Sequence, residues 1–184
     1  MFGAARGYPE VSLSASLAGY RLEAKVDLVM ILPGGGARIY DWKTSRRKPE
    51  RRWLAGRLQT RLYPYLLTRA GAALNGGVDL SPEQVEMIYW FADHPTQAER
   101  MAYSPQAFQD DESYLSELIA TLQRLGEADF HLTTDLRRCA YCSYRSLCDR
   151  GTRAGEMDET QAETGVDGEV AISLDFEQIG EIEF

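Results

Sequence analysis

Ile39-Tyr40-Asp41-Trp42-Lys43-Thr44-Ser45 follows Ala37 and Arg38 in a short β-branched and aromatic run that predicts a strand over Ala37 to Lys43. Side chains two apart in a strand project to one face, so Asp41 and Lys43 set a carboxylate beside an ammonium while Tyr40 and Trp42 point to the other. Alone, an Asp-x-Lys tripeptide says little, because exposed pairs of this kind are common and worth about 0.2–1 kcal/mol. The preceding apolar run, Val26-Asp27-Leu28-Val29-Met30-Ile31, says more. A charge at Asp27 must be paired, neutralised or bound to a cation.

Further upstream, Val11, Leu13, Ala15 and Leu17 alternate with Ser12, Ser14 and Ser16, the period-two pattern of a half-buried strand, and Ala18-Gly19 offers a tight turn. The return strand, Tyr20 to Ile31, alternates less cleanly and ends at Pro33-Gly34-Gly35-Gly36, a second turn. Three strands joined in this way predict an antiparallel meander that brings Asp27 near Asp41. Glu10 is a third acid that the sheet could bring to the same end.

Downstream, Leu54, Leu58, Leu62, Tyr65 and Leu66 have helical spacing, with an end near Asn75-Gly76-Gly77. Pro64 lies inside this helix and predicts a kink or a division just before Tyr65. Val85 to Phe91 reads as another strand, with Arg100 to Tyr103 as its partner. Ser104-Pro105 opens a helix whose apolar stripe runs from Tyr114 to Leu125. The expectation is an α/β fold: a mixed central sheet, antiparallel meander first, flanked by helices.

The 184 residues (20.7 kDa, 44% hydrophobic, 26% charged) suit one domain plus an appendage. There is no apolar run of roughly 18 residues and no signal-peptide pattern at Met1 to Pro9, so a cytoplasmic protein without a membrane segment is expected. The formal charge of −8 is unevenly spread. Residues 154–184 carry ten acids and no Lys or Arg, which leaves residues 1–153 at +2. Within that body Lys43, Arg46, Arg47, Lys48, Arg51, Arg52, Arg57 and Arg61 accompany a single acid, Glu50. Such a run attracts a polyanion; the competing reading is a solvated helix face, although such faces usually interleave both signs. The expected organisation is a core over 1–153 and a flexible acidic tail over 154–184.

Several carboxylates beside one lysine suit metal-assisted phosphodiester hydrolysis. Carboxylate oxygens hold Mg²⁺ or Mn²⁺, the ion lowers the pKa of a bound water, and a lysine orients or deprotonates that water. At this point the sequence resembles the PD-(D/E)XK nuclease superfamily, and within it the RecB-type exonuclease domains. Val26-Asp27-Leu28-Val29 is similar to the aspartate strand, Asp41-Trp42-Lys43 to the D-x-K strand, Glu10 to the upstream glutamate, and Leu58-Gln59-Thr60-Arg61-Leu62-Tyr63 to the Q-x-x-x-Y helix. The match covers most of residues 8–150. Ala24 stands where the family often has Gly.

The resemblance implies a restriction-endonuclease-like fold in which Glu10, Asp27 and Asp41 hold Mg²⁺ or Mn²⁺ and Lys43 acts on the water. Gln59 and Tyr63 then lie beside the DNA path, with Arg46, Arg47 and Arg52 as further substrate-binding residues; for Gln59 and Tyr63 a core-facing helix is the competing reading. The implied protein is a Mg²⁺-dependent deoxyribonuclease, an exonuclease of DNA repair, recombination or defence. Single-stranded DNA is the favoured substrate. A non-catalytic module that binds nucleic acid or recruits a partner is the alternative.

Cys139, Cys142 and Cys148 are spaced so that two thiolates can reach one metal and the third can join them. They resemble the C-terminal cysteine trio of RecB-type nucleases such as AddB and CRISPR-associated relatives, which implies a [4Fe–4S] cluster. Those relatives take a fourth cysteine from a segment before the motifs. The fourth ligand is absent from this chain, and the expectation is that Met1 is not the natural start. Zinc on the three cysteines and His131, or plain buried thiols, are the alternatives; His94 is assigned no role. Apolar residues return at the tail's end, from Val170 to Phe184. This end is expected to dock on a helicase or repair partner, or on the basic groove itself, with plain disorder as the alternative.

Overall fold

The computed structural model describes residues 4–45, 48–140 and 142–151. Arg46, Arg47 and the expected acidic tail lie outside the described residues. The chain divides into two compact units, the first running through Ile119 and the second beginning at Ala120.

The first unit is built on a five-stranded mixed sheet in the order β1-β2-β3-β4-β5: β1 Arg6–Leu17, β2 Tyr20–Ile31, β3 Ala37–Lys43, β4 Val85–Phe91 and β5 Glu99–Ala102. The first three strands form the expected antiparallel meander, β4 lies parallel to β3, and β5 returns antiparallel to β4. The β1–β2 turn places Ala18 (φ 49) and Gly19 (φ 81) in the left-handed region. Two such residues in a two-residue loop match the right-handed twist of the flanking strands.

The uneven alternation of β2 has a physical cause. Pro9 pairs with Leu28 and Val11 with Val26, which leaves Glu10 and Asp27 opposite each other outside the ladder. Glu10 has φ 50. On β2, Val26 and Val29 both enter the core although they are three residues apart, and on β1 Tyr8 and Val11 both pack against it. Each strand therefore carries one extra residue at the same level, a pair of facing bulges that switches the inward face of both strands while keeping their register.

The helix α2, Leu58–Ala70, crosses the inner face of the sheet, and the short α1, Arg51–Gly56, packs against α2 and buries Leu54. α2 has only 13 residues, too few to be stable alone in water, and is held by Tyr63, Tyr65, Leu66 and Leu67, all nearly inaccessible. Each such side chain contributes about 1.5–3 kcal/mol on burial. The expected division at Pro64 does not occur there, because α2 runs through it. The break falls at Arg57, whose extended backbone (ψ 146) follows Gly56. Tertiary burial on both sides of Pro64 outweighs the loss of one helical hydrogen bond.

α3, Pro105–Arg124, begins where the Ser104 hydroxyl accepts the Ala107 N–H at 3.1 Å. It packs beside α2 through Tyr65 stacked on Phe108 at 5.1 Å. In the second unit Asp135 caps α4, Leu136–Cys139, and Arg145 binds the Arg150 carbonyl. Among the described residues no helix is long and apolar enough to cross a membrane.

Candidate active site

Strand alternation sends Asp41 and Lys43 inward beneath α2, where they are 1% and 7% exposed. Lys43 Nζ lies 3.0 Å from Asp41 Oδ2 and donates to Gln59 Oε1 at 3.1 Å. The Gln59 amide completes a chain of contacts, with Nε2 3.4 Å from Asp41 Oδ1 and 3.3 Å from the Tyr63 hydroxyl. An ammonium only donates and a carboxylate only accepts, so this amide orientation alone satisfies both neighbours. The i, i+4 spacing of Gln59 and Tyr63 puts both on the face of α2 that meets β3. The competing reading of Gln59 and Tyr63 as core-facing residues is thus half right: both are buried, and they are buried against the charged pair.

Asp27 joins from β2. The β2–β3 ladder ends at Leu28 opposite Tyr40, and beyond it Asp27 Oδ2 accepts the Trp42 N–H at 2.8 Å. Burial pushes the Asp41 carboxyl up to about 6, with the Asp27 charge adding to the rise and Lys43 and Arg57 opposing it. Asp41 Oδ2, despite its closeness to Lys43, receives no aligned hydrogen bond. A buried carboxylate oxygen left in this state, next to a second carboxylate, fits a hard divalent cation, which typically takes one or two carboxylates and completes its shell with water. Asp41 and Asp27 are the residues that would hold it.

Glu10 does not join them. It stands opposite Asp27, but its carboxylate, 65% exposed, pairs with Lys25 at 2.7 Å. Among the described residues no group of three or more His, Cys, Asp or Glu side chains is placed to hold a metal. The cysteines are among these residues. Cys139 is buried at the end of α4 with its Sγ 3.1 Å from Arg150 Nη1, Cys142 and Cys148 are half-buried, and the three do not assemble a metal site. His131, the further zinc ligand considered, instead places Nδ1 3.1 Å from the Ala128 carbonyl.

The basic run is less free than its sequence suggests. Lys48 pairs with Glu99 at 2.6 Å, Arg51 reaches the same carboxylate at 3.2 Å, and Arg61 binds Asp111 at 3.0 Å. Arg57 lies over the Trp53 ring. Arg52 is exposed and makes no ion pair among the described residues. Tyr89 is a site neighbour that the sequence does not reveal. It pairs with Asp41 across β3 and β4, and Lys43 Nζ lies 5.7 Å from its ring centre. The Tyr89 hydroxyl contacts Thr60 Oγ1 at 2.6 Å. Only the parallel register of β4 could have revealed it.

None of the curated proteins matches this chain significantly. Among solved structures, it is similar to the crystal structure of SSO0001 (TM-score 0.47, 15% identity, 80% of this chain and 62% of that one). It is also similar to an exonuclease candidate from Eubacterium rectale (TM-score 0.45, 15% identity, 87% of this chain and 58% of that one). The chain spans about three fifths of the length of these two structures. The PD-(D/E)XK nuclease superfamily model matches residues 3–149, a span that contains the sheet, the Asp41–Lys43 pair and the helix that covers it. The chain belongs to the PD-(D/E)XK nuclease superfamily.

Proposed function

We propose that this protein is a divalent-metal-dependent deoxyribonuclease, an exonuclease of the RecB type acting in DNA repair, recombination or defence, with single-stranded DNA as its favoured substrate. The observation that carries the reading is the buried contact chain Asp41–Lys43–Gln59–Tyr63 with Asp27 at its edge. Burying a charged pair costs several kcal/mol per ion before mutual attraction offsets it. An apolar pair would fill the same space without that cost, so chemistry is the stronger reason for charges here.

When bound, Mg²⁺ or Mn²⁺ supplies charge neutralisation at the scissile phosphate and a water of lowered pKa. Asp41 and Asp27 offer the oxygens. Lys43, fixed by Asp41 and Gln59, keeps its ammonium at the position from which it can orient the attacking water or neutralise phosphate charge. Gln59 holds the Lys43 side chain in one rotamer, and Tyr63 holds Gln59. Glu10 would serve as a third ligand only after leaving Lys25.

The test is cleavage of end-labelled single-stranded and duplex DNA with Mg²⁺, Mn²⁺ or EDTA, comparing the chain with Asp41→Ala and Lys43→Ala. Metal-dependent degradation lost in both variants is expected. Salt-sensitive binding without cleavage would establish the non-catalytic module instead.

A further inference from the structure

The sheet has a second face, and none of α1, α2 and α3 lies on it. Alternation on β3 and β4 sends Tyr40, Trp42 and Trp90 outward. Trp42 is 41% exposed, 6.4 Å from Tyr40 and 6.2 Å from Trp90 between ring centres. Met30 on β2 extends this face. An aromatic and aliphatic surface of this kind is what an interaction partner covers.

We propose that this outer face is the docking surface for the chain's own C-terminal segment, residues 170–184. The segment is the chain's remaining concentration of apolar residues outside the described structure: Val170, Ile172, Leu174 and Phe176 recur at every second position, followed by Ile179, Ile182 and Phe184. A period-two run presents one apolar edge, the form that lies along a sheet face. Its polar positions carry Asp175, Glu177, Glu181 and Glu183. The outer face supplies the opposite sign, because Arg38 and Arg100 converge on one carboxylate, Glu86, at 3.1 and 2.7 Å, a local surplus of positive charge. The eighteen residues between Gly151 and Val170 can extend up to about 60 Å, several times the ~13 Å radius of gyration of a 100-residue domain. The basic run is the poorer dock, since Glu99 and Asp111 already occupy several of its cations.

The experiment uses the full chain. With the photo-crosslinking residue p-benzoylphenylalanine at position 176, irradiation of dilute protein is expected to join this position, within one chain, to peptides containing Met30, Trp42 or Trp90. In the Ile172→Asp/Phe176→Asp variant, acrylamide quenching of tryptophan fluorescence is expected to rise about twofold, as two of the chain's large aromatic surfaces open to water. Crosslinks confined to other peptides, or no crosslink together with unchanged quenching, would overturn the proposal. Crosslinks only between chains would assign the face to a second copy. Quenching by oligo-dT that is equal in the parent and the variant would assign it to stacked bases, and either result also sinks the proposal.

Discussion

β3 has two faces with opposite habits. Its inward side chains at the C-terminal end are Asp41 and Lys43, buried; its outward ones are Tyr40 and Trp42, the latter 41% exposed. An ordinary half-buried strand does the reverse. The difference separates two kinds of constraint within four consecutive residues. The inner pair is held by Gln59 and α2 at an energetic cost that packing alone does not explain, whereas the outer pair leaves apolar surface of the kind the proposed C-terminal segment would cover.

That contrast can be broken most severely at Lys43. Lys43→Ala leaves Asp41 buried without its partner, and we expect urea denaturation to show a loss of about 3–5 kcal/mol. Cleavage should fall by at least ~10²-fold, the usual size of a lost proton-transfer or charge-stabilising group. Its neighbour gives the measure of the outer face: Trp42→Thr, which loses ring contacts with Tyr40 and Trp90, should cost about 1–2 kcal/mol in the same denaturation experiment. Equal losses at the two positions would remove the distinction between the faces.

A pH experiment sharpens the inner half. Asp41 keeps its proton to about 6 in the folded chain, against about 3.9 for an unfolded aspartate. Between these values the folded state binds more protons. The stabilisation is therefore fully present below the unfolded value and is lost as pH rises through about 6, with a total of about 3 kcal/mol if Asp41 titrates alone. Denaturation of Asp41→Asn should show that slope flattened. Because protonated Asp41 is a poor ligand, Mg²⁺ or Mn²⁺ should raise the melting temperature above pH 7 and have little effect below about pH 5.

A smaller effect is expected at Gln59. Gln59→Leu removes one acceptor from Lys43 and one donor from Asp41, and should lower stability by about 1–3 kcal/mol, the cost of a buried group left unsatisfied. Calorimetry of Gln59→Leu and Tyr63→Phe, singly and together, would show whether the two act as one unit: coupling well away from zero is expected, and additive losses would mean that Tyr63 does not support Gln59.

Much of this arrangement was legible in the sequence. The bounds of β3 and β4 follow directly from composition and turns, and strand alternation sets Asp41 beside Lys43; that Gln59 and Tyr63 belong with them follows only from the family resemblance, and in the structure Gln59 does contact both. Other features depend on pairings that local patterns do not encode. The partners of the basic run lie 48 to 51 residues away, Glu99 for Lys48 and Arg51 and Asp111 for Arg61, so the local charge count overstates a free cationic face. Pro64 predicted a break because local rules weigh one hydrogen bond and ignore Tyr63, Tyr65, Leu66 and Leu67 pressed against the sheet. Tyr89 reaches the site only through the parallel register of β4. Strand order brings Glu10 toward the other acids, but its left-handed backbone and Lys25 turn its carboxylate outward.

The facing bulges at Glu10 and Asp27 also constrain how this hairpin can change length. Deleting either residue alone would send every side chain on one side of the gap to the opposite face of its strand, exposing Val26 and Leu13 or burying their neighbours. Deleting both would restore plain alternation and a well-formed hairpin, but the carboxylate that accepts the Trp42 N–H would be gone. Insertions and deletions in this hairpin can thus be tolerated by the fold only in matched pairs, and the matched pair present here is the one that delivers Asp27 to the site.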